Sequence, residues 1–195
     1  MSESPLRVAI IVGSTREGRF GARVADWLVE QVTTRPDMTI DVVDPALRPL
    51  PVVIGAPPAD PAEGEALAQA RRTLDAADAF VVVTPEYNHS YPAALKNLID
   101  QHFTEWRAKP VAFVSYGGMS GGLRAVEHLR QVFAELHAVT VRDTVSFHNP
   151  WEEFDADGRH KDPTGCNAAA KAMLDQLAWW AHALRDAKAK RPYAA

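Results

Sequence analysis

Three short stretches of the chain hold most of the residues that could do chemistry. The first is Gly13-Ser14-Thr15-Arg16-Glu17-Gly18-Arg19-Phe20-Gly21, between an apolar β-branched run and a helical pattern. Glycines let a backbone approach a ligand closely, and Ser14 and Thr15 offer hydroxyl donors. A helix start adds unpaired N–H groups and the positive end of a dipole. Arg16 and Arg19 can add charge-assisted, bidentate contacts. Together these parts make an anion site suited to phosphate; the competing reading is a helix cap with two solvated arginines.

The glycine spacing matches neither the nucleotide P-loop, which needs a following Gly-Lys-Ser/Thr, nor the G-x-G-x-x-G dinucleotide fingerprint. A monophosphate is therefore expected, which points to FMN rather than FAD or NAD as the tightly held ligand.

The second stretch is Thr84-Pro85-Glu86-Tyr87-Asn88-His89-Ser90-Tyr91-Pro92. Tyr87 could pack on a flat heterocycle, and Asn88 with nearby backbone N–H groups could bond its polar edge. Plain packing is the alternative for Tyr87 and Tyr91. His89 is a substrate-side candidate, equally readable as a histidine bonded to backbone. The third stretch, Ser115-Tyr116-Gly117-Gly118-Met119-Ser120-Gly121-Gly122, has four glycines in six residues and so permits close approach to a planar ligand. Ser120 is a suitable N-cap for the helix that follows.

Elements of alternating period must position these loops. Apolar runs at 8–12, 39–43, 79–83, 111–114 and 139–147 read as strands, the second as an edge strand. Helical spacing links Phe20, Val24, Trp27, Leu28 and Val32; then Leu95, Leu98, Ile99 and Phe103, with Pro92 suited to the first turn. It recurs through Leu123, Val126, Leu129, Phe133 and Leu136, and again through Leu174, Leu177, Trp180 and Leu184. Residues 63–77 form a further candidate helix. This alternation predicts βαβ units around a parallel sheet, whose ligands bind beyond the carboxyl ends of the strands. Residues 45–61, with six prolines, and the polar segment 148–165 read as long loops.

The 195 residues suit one α/β domain over 1–195, with no repeat and no break in composition. A net charge of -4 argues against nucleic acid as the main partner. The densest basic stretch, Lys188, Lys190 and Arg191, reads as a solvated helix end. The lone Cys166 can form neither an internal disulfide nor a thiolate metal cage, and no basic cluster stands beside it to activate the thiol. No metal site is expected. Met1-Ser2-Glu3-Ser4-Pro5 is not a signal peptide, and no apolar run approaches the ~20 residues of a membrane span, so a cytoplasmic protein is expected.

Gly13-Ser14-Thr15-Arg16, Pro85-Glu86-Tyr87-Asn88-His89-Ser90, Lys96-Asn97-Leu98-Ile99-Asp100 and Tyr116-Gly117-Gly118 with Gly121-Gly122 resemble the NADPH-dependent FMN reductase family of the flavodoxin-like fold. That family includes quinone, azo-dye and chromate reductases. The resemblance covers about residues 7–147. It implies a three-layer α/β/α sandwich with a five-stranded parallel sheet of order 2-1-3-4-5. It places Ser14, Thr15, Arg16, Arg19 and the amides through Phe20 and Gly21 at the FMN phosphate. Pro85, Glu86, Tyr87 and Asn88 would face the isoalloxazine, with Tyr116, Gly117 and Gly118 bordering its other side. Lys96, Asn97 and Asp100 would hold their helix and a dimer contact. The implied reaction is ping-pong: NADPH or NADH reduces the bound flavin, which then reduces a quinone or another organic acceptor.

A flavodoxin-like electron carrier without its own substrate is the alternative, though such carriers usually have a Thr-rich, arginine-free phosphate loop. A receiver domain lacks its acidic residues here, and a phosphatase built on Cys166 lacks an arginine-closed loop. The resemblance also implies a homodimer or homotetramer, in which Trp106, Trp151 and Phe154 could close a neighbour's flavin site.

Overall fold

The computed structural model describes residues 4–194; Met1, Ser2 and Glu3, on which the reading of the chain's start partly rests, lie outside them. Five strands form one parallel sheet in the order β2-β1-β3-β4-β5: β1 Leu6–Val12, β2 Met38–Val43, β3 Ala79–Pro85, β4 Pro110–Gly117 and β5 Val139–His148. The expected order and the edge position of β2 are both found. β3 is buried at all seven residues and β1 at six of seven, because helices cover both sheet faces.

The period-two alternation of the strands sorts the core into two layers. Val8, Ile10 and Val12 meet α1 (Gly21–Thr33) and α6 (Pro163–Lys190) through Val24, Leu28, Met173 and Leu177. Ala9, Ile11, Phe80 and Val82 meet α2 (Pro61–Ala76), α3 (Ala93–Asp100) and α4 (Leu123–Glu135) through Leu74, Leu98 and Phe133. Each fully buried Leu, Ile or Phe contributes about 1.5–3 kcal/mol. Phe133→Ala, at the centre of the second layer, is the kind of change that breaks it.

β1 and β3 are neighbours in register, with Val12 opposite Val83. Strand order reverses between them, so the loops leaving both strands open into one crevice.

Several elements differ from expectation. The 148–165 segment is partly ordered: α5 spans Pro150–Glu153, Phe154 bridges His160, and α6 begins already at Pro163. The 45–61 segment is irregular but tied down, since the Pro51 carbonyl accepts from Asn97 Nδ2 at 3.1 Å and Gln101 Nε2 at 2.7 Å. Lys188 is half-buried rather than solvated, and burial lowers its ammonium pKa.

Trp106 and Phe154 cannot close a neighbouring site, because both are packed in this chain's own core. Trp106 lies against Phe80 and Phe133 with its indole N–H donating to the His102 carbonyl at 2.8 Å. Phe154 wedges between Phe20 and Phe147. Trp151 alone of the three is exposed, at 58%. Ser120 does not cap α4. Gly122 takes the N-cap position at φ 84°, where a Cβ would stand 2.8 Å from Ser115 Cβ.

Candidate functional site

The loop after β1 begins strapped to the sheet. The Gly13 N–H donates to the Val83 carbonyl at 2.8 Å, and Ser14 is buried with its hydroxyl 2.8 Å from that of Tyr87. From Thr15 to Gly18 the chain stands in solvent, and among the described residues the amides of these four find no partner. The Arg19 N–H closes the turn on the Arg16 carbonyl at 3.1 Å. α1 then starts with no side-chain cap and no acid in its first turn. Orphan donors at a helix start attract anions, and an acidic cap would have cancelled that field.

The two arginines of this loop divide their roles. Arg19 turns inward. Its guanidinium takes both Asp44 oxygens at 2.5 Å and the Ser14 carbonyl at 2.7 Å, with only 12% of the side chain exposed. It therefore fixes the loop against the end of β2. Arg16 is exposed and forms no ion pair among the described residues. It is the cation that remains available to a ligand.

The loop after β3 is a tight hairpin. Tyr87 and Ser90 exchange backbone hydrogen bonds at 2.8 and 3.1 Å, and both residues between them have positive φ, Asn88 at 49° and His89 at 75°. Positive φ at both central positions is the type I′ pattern, which suits asparagine and strains histidine. The turn presents Asn88 and His89 to solvent, while the His89 ring lies 6.1 Å from that of His128. His128 in turn pairs its Nδ1 with Ser90 Oγ at 3.1 Å. Pro85, the last residue of β3, is buried below the turn.

Glu86 is committed to structure. Burial works against its charge, but the Ser120 hydroxyl donates to it at 2.5 Å and the Arg124 guanidinium pairs with it. Together they hold the carboxyl below the ordinary range. The Glu86 N–H also donates to the Tyr116 carbonyl at 3.2 Å. This clamp joins the β3 loop to the β4 loop and to the start of α4. With the Ser14–Tyr87 contact it makes the three loops one continuous rim.

Tyr116 points inward rather than along the rim. Its ring is buried beside Phe20, and its hydroxyl reaches Ser14 and the backbone of Gly21. Burial pushes its phenol pKa up, so the group stays protonated. Gly21 is glycine because a Cβ there would fall 2.4 Å from that hydroxyl. Gly117 and Gly118 do lie on the rim, half-buried.

Sequence reading had missed three residues that shape this site: Asp44, Arg124 and Asn149. Asp44 directly follows a strand, a position where loops converge, so a signal existed. The other two act through partners far away in the chain, and nothing local marks them. The rim as a whole fits a phosphate monoester at the first loop with a flat ring lying between the other two.

Residues 6–152 match the protein family described as NADPH-dependent FMN reductase. The chain is 34% identical over 203 residues to a probable NADPH:quinone oxidoreductase 2 of Oryza sativa subsp. japonica, covering 100% of this chain and 98% of that protein. It is 30% identical over 175 residues to an FMN-dependent NADPH-azoreductase of Staphylococcus haemolyticus, covering 86% and 91%. Among solved structures it is similar to FerB of Paracoccus denitrificans, a flavoenzyme NAD(P)H:(acceptor) oxidoreductase. That likeness has a TM-score of 0.71 at 23% identity, covers 90% of this chain and 97% of the other, and shows a shared fold.

Proposed function

The chain belongs to the NADPH-dependent FMN reductase family, and from that premise we propose that it oxidises NAD(P)H and reduces a quinone-like acceptor at its three-loop rim. When bound there, FMN supplies the two-electron chemistry. The two half-reactions alternate, with the nicotinamide leaving before the acceptor enters. The overall balance is NAD(P)H, a proton and a quinone giving NAD(P)+ and a hydroquinone.

Arg16, the Thr15 hydroxyl and the amides of residues 15–18 and Phe20 would hold the phosphate, while the Gly21 amide is taken by the Tyr116 hydroxyl. Ser14, Arg19 and Tyr116 set the shape of that loop from below. Pro85, Tyr87, Asn88 and the free N–H groups of the type I′ turn would face one side of the flavin ring. Gly117 and Gly118, lacking side chains, would let the backbone approach the other. Glu86 keeps the two walls at a fixed separation.

The observation that carries this reading is the uncapped, acid-free start of α1 beside the unpaired Arg16. We further propose a cytoplasmic, homodimeric or homotetrameric enzyme. No helix among the described residues is long and apolar enough to cross a membrane, and Leu47, Val52, Val53 and Trp179 are exposed apolar residues available to a second copy.

The test is to purify the protein, record its visible spectrum and identify any released flavin, then follow NAD(P)H oxidation with a quinone. A yellow protein releasing FMN and giving parallel double-reciprocal plots is expected. A colourless protein that refuses added FMN overturns the reading, and intersecting plots overturn the alternating scheme.

A further inference from the structure

Trp151 is one of the largest exposed apolar side chains, and its placement is built rather than incidental. α5 is a single turn clamped at both ends. At its start the Asn149 N–H donates to the Gly117 carbonyl at 2.7 Å, with Asn149 itself at a left-handed φ of 46°. At its end Phe154 is buried among Phe20, Phe147 and His160. The Lys161 N–H and ammonium further bind the Glu153 and Glu152 carbonyls at 2.8 and 2.7 Å. These bonds hold the indole beside the glycine loop after β4.

The indole stands over Gly118. The place where a Cβ would sit on that residue has only two heavy-atom neighbours within 4 Å, Asn149 Oδ1 at 3.7 Å and Trp151 Cη2 at 3.9 Å. Met119, the next residue, is 94% exposed. The space above Gly118 is thus bordered by an aromatic ring and a neutral amide, with the exposed Met119 next to it in the chain. An aromatic face in water gains most from a flat partner, and methionine adapts to variable outlines.

We propose that Trp151, with Met119, forms the wall of the electron-acceptor subsite and selects neutral, fused-ring acceptors of the naphthoquinone class. This inference rests on the oxidoreductase reading of the same rim. Trp151 contributes by stacking and by excluding water from one side of the acceptor; it transfers no proton and no electron.

The experiment uses the FMN-loaded protein in its oxidised form, which binds a quinone without turnover. Calorimetric titration with 2-methyl-1,4-naphthoquinone is run on wild type, Trp151→Ala, Trp151→Phe and Met119→Ala, and the FMN content of each is measured. Loss of the indole is expected to weaken quinone binding about tenfold, the upper end of an aromatic stacking contribution. Phenylalanine should restore most of it, and Met119→Ala should weaken binding about threefold. In turnover, the ratio of kcat/KM for the naphthoquinone to that for ferricyanide should fall in parallel. A fully loaded Trp151→Ala protein with wild-type quinone affinity overturns this inference and leaves the functional reading standing. A Trp151→Ala protein that sheds FMN makes the residue part of the cofactor wall and also overturns it. A wild-type protein that takes up no FMN removes both proposals.

Discussion

Arg19 and Asp44, 25 residues apart in the chain, meet in a two-pronged ion pair with both contacts at 2.5 Å, shielded from water on the inner side of the first loop. Removing one partner of a sheltered pair strands the other charge, which costs more than losing an exposed pair. Arg16 and Arg19 should therefore respond oppositely to alanine substitution. Arg19→Ala is expected to lower folding stability by roughly 2–3 kcal/mol, read by urea denaturation. Arg16→Ala should leave stability within about 0.5 kcal/mol and weaken FMN binding by about 1.5–3 kcal/mol, the scale of a hydrogen bond to a charged group. Equal FMN affinity in wild type and Arg16→Ala would place the phosphate elsewhere.

Gly21 and Tyr116 make a steric pair whose sign can be worked out. Alanine at 21 gains about 1 kcal/mol of helix propensity but drives a methyl to within 2.4 Å of a buried hydroxyl, an overpacking cost of about 1–3 kcal/mol. The packed ring cannot withdraw, so Gly21→Ala is expected to be net destabilising. Tyr116→Phe removes the obstructing oxygen. The double variant should be more stable than the sum of the two single changes, and strict additivity in thermal melts would contradict the contact.

The Glu86 clamp predicts an acid-sensitive contribution. The folded carboxyl titrates below the usual 4.5 because Ser120 and Arg124 outweigh the opposing effect of burial. Its stabilisation is thus present above the ordinary carboxylate range and is lost as pH falls through it. Glu86→Gln should cost about 1–3 kcal/mol at pH 7. The gap between the two proteins should narrow in urea titrations as the pH drops below about 4.5. A gap independent of pH would show that the charge on Glu86 contributes nothing.

Lys109 predicts a rise in stability with pH in the alkaline range as well. Its ammonium is buried, donating at 2.8 Å to the Leu74 and Asp75 carbonyls in the last turn of α2 and lying 5.5 Å over the Phe80 ring. Burial first, and then repulsion from Lys188, bring its pKa from the usual 10.5 to about 8, against weaker support from Asp75, Asp78 and Glu105. Between pH 8 and 10.5 the unfolded chain holds more protons, so this group makes stability rise with pH across that window by an amount of order 2–3 kcal/mol. Wild type should gain on Lys109→Met between pH 8 and 10, measured at matched denaturant. Parallel pH profiles would overturn the shift.

The sequence alone determined the strands, the five longer helices and the three loops that carry polar and glycine residues. Each of these is written in local periodicity and turn chemistry, which the chain obeys wherever its neighbours sit. The strand order was implied by the motifs that resemble a known family, not by periodicity. Even the crevice follows, since an alternating β and α pattern leaves few topologies open.

Only the tertiary structure decided what the individual side chains do. Two arginines three residues apart look alike in sequence, yet one is spent on Asp44 and the other is open. Three aromatics at 106, 151 and 154 looked equally able to cover a neighbouring site, and two turned out to be core. Ser120 looked like a helix cap and instead serves Glu86. In each case the deciding partner lies tens of residues away, brought close by sheet register and helix packing, so no local pattern could name it.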